Sequence, residues 1–120
     1  MISNAARVRL AQAERLLAGT ALPGVWPRCA AWLIRLALEK ELDALWARHS
    51  PQLIDCSRRS QLLALGVVAD AQTQHHATEL WNTLSRAAHH HHYELAPTAA
   101  ELRGWLDGAA LLCMRLSRLI

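Results

Sequence analysis

WPRCAAWLIRLALEKELDALWAR, residues Trp26 to Arg48, is the stretch that decides the fold. Ile34, Leu38, Leu42 and Leu45 recur at spacings of three and four, which puts them on one stripe of a helix. Pro27 suits a first helical turn, where its missing N–H leaves nothing unpaired. The first half is apolar almost all round: Cys29, Ala30, Ala31, Trp32, Leu33, Ile34 and Leu36. A helix of that kind lies at the centre of a bundle, or also meets a second subunit. The second half carries one charged face, Glu39, Lys40, Glu41 and Asp43, which reads as a solvated surface.

Outward from this helix the same period continues. Toward the N-terminus a helix over about Ser3 to Ala18 has the stripe Ala6, Leu10, Ala13 and Leu17. Gly19 ends it, and Leu22–Pro23–Gly24 makes a turn. Toward the C-terminus, Ser50–Pro51 opens a connection. A short helix follows over about Ser57 to Val68, with Leu62, Leu63 and Leu65. Asp70 is a plausible N-cap for a helix that runs to about His91 on the stripe Ala77, Leu80, Trp81, Leu84 and Ala88. Ala96–Pro97 breaks the pattern, and Thr98-x-x-Glu101 reads as a capping box for the last helix. The stripe of that helix is Leu102, Trp105, Leu106, Ala109, Leu112, Cys113 and Leu116. The sum is an all-α protein, an antiparallel up-and-down bundle of four to five helices forming a single domain over residues 1–120.

Composition agrees. The chain has 120 residues, 52% hydrophobic, with Leu and Ala abundant and no Phe. That is enough to bury a core without staples, and it favours helix over strand. The five tryptophans sit on or near apolar stripes and read as core. The formal charge of +3 permits a nucleic-acid or nucleotide partner without demanding one. Cys29, Cys56 and Cys113 form no CxxC pair and read as reduced thiols, partly or wholly buried, of a cytoplasmic protein. The start, Met1–Ile2–Ser3–Asn4, has no apolar run behind positive charge, so no signal peptide is expected. The most apolar stretch, Cys29 to Leu38, is interrupted by Arg35 and too short to cross a membrane. There is no Gly-rich phosphate loop, GxSxG, HExxH or CxxC, which removes the common motif-bearing enzyme classes. No cofactor is expected. Arg58–Arg59 open a helix against its dipole and read as a solvated pair.

Four of the seven histidines, His89 to His92, stand in a row; the others are His49, His75 and His76. Consecutive helical residues point about 100° apart, so four in a row cannot converge on one metal ion. Only His89 and His92 have usable spacing, and Glu14 or Glu101 would have to complete the set. No metal site is expected. A second reading is a polar helix end, favoured by the dipole when charged.

A third reading comes from the flanks. Arg86-Ala87-Ala88-His89-His90-His91-His92-Tyr93 resembles the hallmark of HEPN domains (higher eukaryotes and prokaryotes nucleotide-binding). These are small all-α bundles with Arg, four to six residues, then His near the end of a late helix. In the HEPN toxins paired with minimal nucleotidyltransferases the motif is Arg-Asn-x-x-x-His-x-Tyr. The residue-level likeness covers about Trp81 to Glu101. It departs at Ala87, where the family has a polar residue; Asn82, one turn before Arg86, is a substitute. The resemblance implies a metal-independent endoribonuclease of toxin or defence type, acting on RNA as a homodimer. The alternative is an inactive HEPN-like module that binds a nucleotide or a protein. The resemblance further implies a nucleotidyltransferase-type antitoxin that modifies Tyr93; the bland reading of Tyr93 is a boundary residue with a local partner.

Histidine near its unperturbed pKa of about 6.5 can act as general acid or base on the 2′-OH and 5′-oxygen. A guanidinium can hold the charge of the phosphorane. Arg86 and His91 are therefore the expected catalytic pair. On a regular helix, however, they point about 140° apart. They converge only if the helix ends near His89 to His91, or if a second subunit contributes. His90 and His92 stay as alternates.

Overall fold

The computed structural model describes residues 1–19, 26–89 and 95–119. These form α1 (Asn4–Ala18), α2 (Trp26–His49), a 3-10 turn (Pro51–Leu53), α3 (Arg58–Val68), α4 (Ala71–Ala88) and α5 (Ala99–Ser117). No strand occurs among them, and none of these helices is long and apolar enough to cross a membrane. The expected turn at Leu22–Pro23–Gly24 lies outside the described residues.

Side chains that bridge the helices fix their directions. The Ser3 backbone N–H at the start of α1 donates to Glu41 Oε1, far along α2, at 2.9 Å. Arg28 in the first turn of α2 donates to the carbonyl of Ala87 at the end of α4, 3.3 Å. Arg103 in the first turns of α5 meets Glu14 near the end of α1 at 2.6 Å. Arg48 at the end of α2 donates to the carbonyl of Leu116 at the end of α5, 3.1 Å. So α1, α2, α4 and α5 run up, down, up and down, and α3 is a short helix within the α2–α4 connection. Both α2 and α5 pack on α1 and α4 as well as on each other. They are the short diagonal of the bundle, with α1 and α4 on either side.

The stripe of α2, Ile34, Leu38, Leu42 and Leu45, is wholly buried, as are Leu84 of α4 and Leu102, Leu112 and Leu116 of α5. Burying a leucine of this kind contributes about 1.5–3 kcal/mol. The caps follow the sequence. Asp70 accepts from the Thr73 N–H at 2.8 Å. Thr98 and Glu101 close a reciprocal capping box at 3.0 and 3.1 Å. Gly19 closes α1 by donating to the Arg15 carbonyl, but at φ −95°, a conformation open to any residue.

Several expectations are corrected. Glu41 is fully buried instead of lying on a charged surface, because α1 crosses α2 there and its first N–H groups need an acceptor. Of the three leucines of α3, Leu62 and Leu65 face the core, and Leu63, about 100° round the helix from Leu62, is 67% exposed, a division the sequence reading did not make. Trp32 is half exposed, whereas Trp46 and Trp81 are buried. Cys29 and Cys56 are exposed and only Cys113 is buried. Burial, then the charge of Glu41, pushes the Cys113 thiol up to about 12, which leaves it inert as a nucleophile.

Candidate functional site

The fourth helix stops at Ala88, three residues before the expected end at His91. No Gly or Pro marks the stop. His89 leaves the helix in extended conformation, φ −83° and ψ 141°, and its N–H donates to the Arg86 carbonyl at 3.3 Å. The cause is tertiary. The guanidinium of Arg28 donates to the carbonyls of both Ala87 and His89. The last carbonyls of a helix have no intrahelical N–H to pair with. The charged donor comes from 59 residues away at Ala87 and 61 at His89.

Of the expected site residues, Asn82 and Arg86 lie on the outward side of α4, and both are exposed. His90, His91, His92 and Tyr93 lie outside the described residues. The regular helix that carries Arg86 ends at Ala88. Arg86 has no side-chain hydrogen bond or ion pair among the described residues. It borders two clefts. One, of about 320 Å³, is walled by Arg28, Thr83, Pro97, Glu101 and Trp105. The other, of about 620 Å³, is walled by Glu79, Asn82, Thr83 and Ser85. Arg86 sits on the ridge between them, in the last turn of the helix, where the dipole also favours a cation.

Ala87, in the position that is polar in the resembling motif, is half-buried and packs on the hydrophobic core. Behind Arg86, two other arginines are tied down. Arg35 lies over the Trp81 ring, 4.2 Å from its centroid, and its Nε donates to Ser85 Oγ at 3.0 Å. Arg58 lies 5.3 Å from the same ring and pairs with Glu39 at 3.1 Å and Asp43 at 3.2 Å. It is 19% exposed, which corrects the solvated reading of the Arg58–Arg59 pair for its first member. Arg59, the next residue, is exposed and has no side-chain partner among the described residues.

Sequence reasoning missed Arg28, Arg35 and Arg58. Arg35 did leave a signal, since a lone cation inside the apolar run Cys29 to Leu38 needs either a partner or an aromatic face. Arg28 left none, because its partners are remote in sequence, and the solvated reading of Arg58 failed because Glu39 and Asp43 come from another helix. Among the described residues no group of three or more His, Cys, Asp or Glu side chains is placed to hold a metal ion. Comparison of the chain with protein-family models, with curated proteins and with solved structures returns no match.

Proposed function

We propose that the chain is a HEPN-like, metal-independent endoribonuclease that uses Arg86 and His91. The observation that carries this reading is the state of Arg86. Its guanidinium is exposed, unpaired among the described residues, and set between two clefts, and the helix ends two residues later. The chain leaves that end directly into the histidine run. An arginine tied to a carboxylate could not take up phosphate without losing that partner; this one can.

In the proposed reaction the 2′-oxygen of RNA attacks the adjacent phosphorus and gives its proton to an imidazole. The bond from phosphorus to the 5′-oxygen breaks, and that oxygen takes a proton from an imidazolium. The products are a 2′,3′-cyclic phosphate and a 5′-hydroxyl. Arg86 holds the extra charge of the phosphorane. His91 supplies one of the two proton transfers. His90, His92 or the His91 of a second copy supplies the other. The reading brings with it a homodimer and a nucleotidyltransferase-type antitoxin that would silence the enzyme at Tyr93.

One observation favours a second reading, an inactive HEPN-like binding module. Ala87 contributes to packing where the motif has a polar side chain. Cleavage of varied RNAs in EDTA separates the two. The ribonuclease reading expects cyclic phosphate ends, with a loss of about 10²–10⁴-fold in Arg86→Ala and His91→Ala at unchanged melting temperature. A folded wild-type protein that leaves all RNAs intact is the binding module.

A further inference from the structure

A third cleft adjoins the second, on the flank of α4 that faces α3. It has a volume of about 460 Å³ and is walled by Arg59, Leu62 and Leu63 of α3 and by Thr78, Trp81 and Asn82 of α4. Asn82 is shared with the cleft that Arg86 borders. Three adjoining concavities thus wrap the outward side of α4 from its α3 flank to its α5 flank.

The composition of this cleft is unlike that of a packing defect. Leu62, Leu63 and Trp81 give it an apolar wall. Leu62 and Trp81 are buried and Leu63 is 67% exposed, so Leu63 presents most of that wall to solvent. The polar groups at the rim are Arg59 and Asn82, both exposed and both without side-chain hydrogen bonds among the described residues. Thr78 is already committed, its hydroxyl donating to the Gln74 carbonyl at 2.9 Å, but its oxygen can still accept. The Trp81 ring is held in place by Arg35 and Arg58. The floor of the cleft is therefore pre-formed and need not be ordered on binding. Its rigidity extends to α3. Gln74 donates to the carbonyls of Leu62 and Leu63 at 3.2 and 3.1 Å. Gly66 lets it do so, since a Cβ there would meet Gln74 Oε1 at 2.8 Å.

We infer that the α3–α4 cleft is a base-binding subsite for the nucleotide next to the phosphate held at Arg86. The inference rests on the RNA-directed reading of that arginine. A flat heteroaromatic base fits an apolar wall that ends in a carboxamide, because the amide both donates and accepts and so reads a base edge. Asn82 stands one helical turn from Arg86, about 6 Å along the axis, close to the backbone length of one nucleotide. Arg59, at the far rim, takes the next phosphate. The unpaired cations at both ends and the neutral, part-apolar middle match the alternation of phosphate and base in single-stranded RNA.

The test uses the full chain and 2′-O-methyl homohexanucleotides of each base, which lack the attacking hydroxyl and cannot be cleaved. Binding is followed by tryptophan fluorescence over a range of salt concentrations, with melting curves to show that every variant folds. The expected result is that Arg59→Ala weakens binding about tenfold and lowers the salt slope by about one unit. Asn82→Ala is expected to level the preference among bases and leave the salt slope unchanged. Wild-type affinity, salt slope and base preference in both variants would overturn the subsite. So would failure of the wild type to bind any of the four. Chemistry is absent from this assay, so the two proposals fail separately. A wild type that cleaves RNA, with both variants binding normally, loses the subsite and keeps the ribonuclease. A wild type that never cleaves, with the variant losses as expected, loses the ribonuclease and keeps the subsite.

Discussion

Arg58 and Arg59 are neighbours in the chain and opposites in the molecule. On the side of α4 turned toward α2, Arg58 and Arg35 crowd the Trp81 ring, and each has a further partner: Glu39 and Asp43 for Arg58, Ser85 for Arg35. On the outward side, Arg59, Asn82 and Arg86 border open clefts and hold on to nothing among the described residues. The inner arginines join α2, α3 and α4; the outer ones contribute little to that joint and are available to a ligand. The turn of about 100° between successive helical residues is what separates the two roles.

The sharpest way to break this contrast is to cut side chains from both sides of α4 and compare melting. Leu84→Ala removes a fully buried inner residue and should cost about 2–5 kcal/mol. Asn82→Ala, two positions away, should stay within about 0.5 kcal/mol. Equal losses would mean that the outward side is structural after all. The arginine pair gives a smaller difference. Arg58→Ala should cost about 1–2 kcal/mol, discounted for the partial exposure of its ion pairs, whereas Arg59→Ala should leave urea midpoints unchanged.

The smallest effect concerns the start of α4. Hydrogen bonds from the Thr73 hydroxyl and then from its backbone N–H hold Asp70 below its ordinary value of 3.8. A carboxyl depressed in the folded state stabilises it above the unfolded value, and that contribution fades as pH falls through the folded value. The melting-temperature gap between wild type and Asp70→Ala should therefore be constant at neutral pH and narrow below pH 3.8. A gap that widens in acid would overturn the capping role.

Much of the bundle was legible because its signals are local. Asp70, the Thr98–Glu101 box and the leucine stripes each act within one or two turns, so periodicity and capping residues located the helices to within a few positions. The end of α4 was not legible, since the group that terminates it, Arg28, comes from another helix. Glu41 misled for the same reason. Its position between Leu38 and Leu42 reads as polar surface until α1 is known to lie across it. The candidate site was readable only in part. Arg86 and Asn82 were named from the motif, but the clefts around them depend on how α3 and α5 pack on α4. No local pattern encodes that.

The clamp of Arg28 on the carbonyls of Ala87 and His89 also acts as an index mark. A helix sets the heading of whatever leaves it, and each residue added would swing the departing chain by about 100° and advance it about 1.5 Å. By holding the last turn at Ala88, a side chain from the first turn of another helix sets the phase at which α4 ends. A change at Arg28 would shift the end of α4 without altering one residue of that helix.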